Sequence, residues 1–265
     1  MEPSALAAFA AVGAIAGLLA GLLGIGGGAV IVPALLILLP AFGAGGPWTP
    51  HQAVATSLAT IVAAGSASTL SHHRRGAVRW WLVARLAPSL VLGAGVGALL
   101  ASWLPALWLQ RLFAAFLLAS GTRMLLAART PPADAPLPRS LALVGTGGGI
   151  GAVSALLGIG GGILMVPYLA RHGVALRHAV ATSSACGVPL ALIGSLGFVV
   201  SGWGREGLAA QSVGFVLWPA ALAIAGAAVP MATLGARLVH RLPTLTLKRV
   251  FAVLLLAVGV RLLLT

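Results

Sequence analysis

"GLLGIGGGAVIVPALL", Gly21 to Leu36, and "ALLGIGGGILMVPYL", Ala155 to Leu169, are the stretches on which the reading of this chain turns. Each sets four glycines within five residues: Gly24, Gly26, Gly27 and Gly28 in the first copy, Gly158, Gly160, Gly161 and Gly162 in the second. Aliphatic residues wall each cluster, and a proline, Pro33 or Pro167, follows five residues after it. Such a run interrupts a helix, yet the surrounding chain is too apolar for an ordinary surface loop. Of 265 residues, 60% are hydrophobic and 7% charged, whereas soluble domains carry about a quarter charged residues. Water is therefore not the main solvent of this surface. Long Leu/Ala/Val/Gly stretches without polar alternation specify helices rather than barrel strands. The expected fold is an all-α, polytopic membrane bundle.

Punctuation at glycine, proline and charge clusters predicts about ten apolar segments, some broken or half-length: 4–23, 28–43, 51–71, 80–103, 107–127, 139–157, 162–170, 178–201, 208–236 and 246–264. The N-terminal stretch has an acid where a signal peptide needs a basic region, and reads as a retained first helix. Three anchors recur in order. "LLGIGGG" at Leu22 matches Leu156, "AVATS" at Ala53 matches Ala179, and "RLFAAFLLASGTRML" at Arg111 matches "RVFAVLLLAVGVRLL" at Arg249. Residues 1–127 and 140–265 thus form two repeats, joined by a Pro- and Arg-containing linker at 128–139.

Five segments per repeat is an odd number, so the second copy is expected upside down. Charge supports this. "HHRRGAVR" is strongly basic and its counterpart "GWGREG" neutral, while "SWLPALWLQR" is nearly uncharged and its counterpart "RLVHRLPTLTLKR" strongly basic. With basic loops in the cytoplasm, thirteen Lys/Arg lie inside and three, Arg111, Arg205 and Arg261, outside. Both termini are then periplasmic.

A broken helix in hydrocarbon must be buried in protein or line a wet cavity. Segment 162–170 would rise only ~14 Å, about half the apolar thickness, which sets Gly158 to Gly162, and by symmetry Gly24 to Gly28, near mid-membrane. Helices starting there present unpaired N–H groups and positive dipole ends to an anion. Thr56 and Ser57, with Thr182 and Ser183, add hydroxyl donors, and Gln52 is matched by His178 one turn earlier. His51 and His178 are candidates for lining the site or handling protons; both also fit the mouths of their segments. Pro33 and Pro167 free a carbonyl or bend the short helices. Two bland readings stand beside these: small residues let membrane helices pack closely, and Ser/Thr hydroxyls bond their own helix.

Other classes fit poorly. The +13 net charge is scattered rather than gathered into a nucleic-acid stripe. "GIGGGA" lacks the preceding strand and the distant acid of a dinucleotide site. Only Glu2, Asp134 and Glu206 are carboxylates, all outside the apolar segments; catalytic residues, cofactors and metals are expected to be absent, as is an intramembrane carboxylate relay.

On the paired G-x-G-G-G stretches with their prolines, the two "ATS" segments and the duplicated layout, the whole chain resembles the sulfite exporter TauE/SafE family, also called the 4-toluene sulfonate uptake permease family. That resemblance implies a bacterial inner-membrane carrier for sulfite or organosulfonates. A passive anion channel and a non-transporting, partner-binding scaffold are the alternatives, and a homodimer stays open.

Overall fold

The computed structural model describes residues 2–24, 26–126, 140–238 and 244–264; the linker expected at 128–139 lies outside them. Among these residues ten helices are seen: α1 Pro3–Leu23, α2 Gly28–Ala41, α3 Thr49–His73, α4 Trp80–Trp103, α5 Ala106–Leu126, α6 Ser140–Leu157, α7 Gly162–Arg171, α8 Leu176–Ser201, α9 Trp218–Leu238 and α10 Thr244–Leu264. Among the described residues, Pro3–Leu22, α3, α4, α8 and α9 are long and apolar enough to cross a bilayer, while α2, Leu143–Leu157 and α7 are shorter apolar helices. The protein is an all-α, multi-pass membrane protein. Both short helices α2 and α7 begin at the last glycine of a GIGGG cluster, because the glycines before it take left-handed backbone angles that end the preceding helix.

One segment is shorter than expected. The ninth, expected from residue 208, begins as α9 only at Trp218; before it the chain makes a hairpin of β1 Ser212–Val213 and β2 Val216–Leu217. Positive φ at Gly204, Gly207, Gln211 and Gly214 turns this apolar stretch back on itself. Hydropathy alone does not register such turns.

Hydrocarbon supplies no hydrophobic force between helices, so close contact must hold them together. The seam of α1 with α9 shows how. A Cβ on Gly13, Gly17 or Gly21 would collide with the carbonyls of Ile224, Ala228 and Ala232, respectively. On the seam of α4 with α6, Gly93 and Gly97 meet the carbonyls of Gly148 and Ala152 in the same way. At the centre α3 lies against α8; α3 also packs on α9, α4 on α8, α5 on α10, α2 on α3 and α7 on α8. Exchanging each helix for its sequence equivalent five places on reproduces this set of neighbours. The equivalent helices α3 and α8 run antiparallel, with Leu58 beside Gly194 and Ser68 beside Ser184, which is the geometry of an inverted repeat. α1 is thus clasped by a helix of the other repeat, and so is α6.

Candidate functional site

The two chain breaks have nearly the same shape. Gly24, Gly26 and Gly27 have φ of 66°, 75° and 77°, and Gly158, Gly160 and Gly161 have 71°, 65° and 81°. A side chain at the first position would strike the other repeat: a Cβ on Gly24 would lie 2.6 Å from Val180 Cγ1, and one on Gly158 3.0 Å from Val54 Cα. Each break therefore seats on the "AVATS" valine of the opposite half. The breaks also meet one another, since a Cβ on Gly26 would stand 3.4 Å from Gly160 Cα. Among the described residues no acceptor takes a hydrogen bond from the amides of Gly26, Gly27 or Gly28, nor from those of Gly160, Gly161 or Gly162. Two sets of open N–H groups are thereby held at the middle of the molecule.

Three of the four hydroxyls have protein partners. Ser57 Oγ donates to Gly158 O at 2.8 Å. Thr56 Oγ1 accepts from Leu217 N at 3.0 Å, just before α9, and Thr182 Oγ1 accepts from Arg79 N at 3.1 Å, just before α4. These last two bonds are equivalent under the repeat, and each ties an "ATS" threonine to a helix start in the other half. Ser183 differs: its Oγ is buried and has no partner among the described residues. Self-bonding within the helix, the bland reading, applies instead to Thr60, whose hydroxyl donates to Thr56 O.

The flanking polar residues are buried more deeply than segment mouths suggest. His51 is fully buried, with Nε2 at 3.0 Å from Ala101 O and its ring stacked on Phe215. Gln52 Nε2 donates to Ser212 Oγ, and its counterpart His178 reaches Ala77 O through Nδ1 at 2.7 Å. Pro33 and Pro167 sit inside α2 and α7, where each lacks the N–H that would bond the carbonyl four residues back, Ala29 or Ile163. Ser154 went unnoticed in the sequence. Its fully buried Oγ has no partner among the described residues and lies 3.6 Å from where a Cβ on Gly161 would be; a serine one turn ahead of "GIGGG" in an apolar span was the available signal.

The gap beside the breaks, bounded by Gly24, Gly26, Gly160, Ser68, Ser184 and Gly187, measures about 10 Å³, space for about one water. A larger open groove of about 580 Å³, lined by Leu118, Thr122, Arg123 and Arg171 among others, shares no residue with either break. The groove is an open surface feature, whereas the breaks carry the unpaired amides.

Fold and site together define a multi-pass helical membrane protein organised round a duplicated, buried helix interruption. The family model described as sulfite exporter TauE/SafE matches residues 9–262, and the chain belongs to that family as a membrane transporter. It is 37% identical over 249 residues to a "Probable membrane transporter protein" of Haemophilus influenzae, covering 94% of each chain. Over 88 residues it is 35% identical to the "Probable membrane transporter protein YunE" of Bacillus subtilis, covering 33% of this chain and 30% of that one. No solved structure matches at the same stringency.

Proposed function

We propose that the protein is an alternating-access carrier for a small sulfur-containing oxyanion, sulfite or an organosulfonate, in the bacterial inner membrane with both termini periplasmic. The observation that carries this reading is the pair of open amide sets at Gly26 to Gly28 and Gly160 to Gly162, each at the positive end of a short helix. An anion bridging them satisfies both sets at once. The hydroxyls of Ser183 and Ser154 supply further donors, and Thr56 and Thr182, which already accept, still hold a proton to give. Ser57 contributes chiefly by holding Gly158. A gap the size of one water does not admit sulfite, so the reading requires the breaks to separate during transport. The moving bodies then combine helices of both repeats, α1 with α9 against α4 with α6, rather than one repeat rocking on the other.

The test is sulfite flux in proteoliposomes. Saturable uptake that is accelerated by sulfite on the far side supports a carrier; current without such acceleration points to a channel. Absence of flux and of any anion-dependent thermal shift, with sulfite, thiosulfate and sulfoacetate all tried, would leave the scaffold reading. Gly27→Val and Gly161→Val are expected to abolish flux, and Ser183→Ala, which removes no protein hydrogen bond, separates substrate binding from folding.

A further inference from the structure

Away from the breaks, the starts of α4 and α8 converge on one residue. Arg79, the residue before α4, places Nη2 3.4 Å from His178 Nε2, and Arg177, in the first turn of α8, places Nε 3.2 Å from the same atom. Ala77 O can only accept, so His178 Nδ1 carries a proton, and Nε2 is the acceptor for both guanidinium groups. Two permanent cations are thereby held within about 7 Å of each other; in solvent their mutual repulsion is small, and an anion placed between them is attracted by both.

The backbone adds to the imbalance. A helix start is already positive and favours acidic neighbours, yet neither α4 nor α8 has an acid in its first turn. Neither arginine pairs with a carboxylate among the described residues. Both side chains are exposed. His178 lies one turn before Thr182, whose hydroxyl holds Arg79 N, and two residues before Val180, on which Gly24 seats, so the cluster sits about 3 Å along α8 from the first break.

We propose that Arg79, Arg177 and the amide ends of α4 and α8 form a second anion site, an outer station for a small oxyanion one helical turn from Thr182. The ligand class is a compact group with three or more oxygens, which two guanidinium forks can share. Free sulfate or sulfite and the phosphate of an anionic lipid have this chemistry in common. The geometry of the cluster stands whether or not the breaks bind substrate.

Arginine protection reads the site directly in the unmodified protein. In nanodiscs of phosphatidylcholine, phenylglyoxal modification of Arg79 and Arg177 is followed by peptide mass spectrometry, with exposed Arg111 as internal reference. Sulfate at ten times half-saturation, against chloride of equal ionic strength, is expected to slow both arginines about tenfold relative to Arg111. A second arm replaces the lipid with phosphatidylglycerol and omits sulfate; protection there also supports the site and assigns the phosphate of the lipid as its ligand. If Arg79 and Arg177 keep pace with Arg111 in both arms, the proposal is overturned. That outcome would leave sulfite flux through the breaks untouched, and loss of flux with protection intact would do the reverse.

Discussion

At the residue scale, the informative contrast is between Ser57 and Ser183, which occupy equivalent places but do different things. Ser57 holds the Gly158 carbonyl, whereas Ser183 Oγ is buried without a partner. Ser57→Ala should therefore cost about 0.5–1.5 kcal/mol of stability, measured by denaturant unfolding in detergent. Ser183→Ala should leave stability nearly unchanged and weaken substrate binding. Equal stability losses for both would refute this asymmetry. The first glycine of each break is stricter still. At Gly24, both the left-handed φ of 66° and the proximity of Val180 oppose a side chain, so Gly24→Ala should lower the melting temperature, and Val180→Ala in the same chain should recover part of the loss.

At the scale of elements, two threonines fasten helix starts across the repeats. The bond from Leu217 N to Thr56 is buried, while that from Arg79 N to Thr182 is partly exposed. Thr56→Val strands an amide where water cannot reach it and should cost about 1–3 kcal/mol. Thr182→Val should cost less, because solvent can replace the lost acceptor; a reversed order in thermal unfolding would contradict the burial. Much of the element plan was legible in sequence: the helix breaks and the half-length α7 follow from local composition, and the three duplicated anchors from laying one half of the chain on the other. What the threonines bond was not legible. Nothing in "AVATS" indicates that Thr56 will meet a backbone amide 161 residues away, and a local motif carries no record of its distant acceptor. The start of α9 was missed for a related reason, since residues 208–217 are apolar enough to pass for helix while their turns rest on Gly207, Gln211 and Gly214.

At the scale of the whole molecule, the crossed pairing of α1 with α9 and α4 with α6 makes the repeats interdependent. Gly17→Leu should force α1 off the Ala228 carbonyl and destabilise the bundle by about 1–3 kcal/mol, read as lowered melting temperature. Orientation has its own measurement. In a Cys186→Ser background, Arg74→Cys is expected to resist an impermeant reagent added outside and Trp203→Cys, at an exposed position of the loop after α8, to react with it. The opposite pattern would reverse the proposed orientation, and labelling of both would remove the assignment of these loops to opposite faces. Loop charges make inversion an expectation, but nothing in the sequence indicates the exchange of partners between repeats, because small-residue faces fit many neighbours equally well.

That exchange bears on how the protein is made. α1 leaves the ribosome some two hundred residues before α9, and until α9 is inserted the glycine face of α1 has only lipid, or a transient guardian, against it. A chain stopped at the linker would strand that face permanently, so the first repeat expressed alone should be a target for membrane proteases, and supplying the second repeat as a separate polypeptide should rescue it.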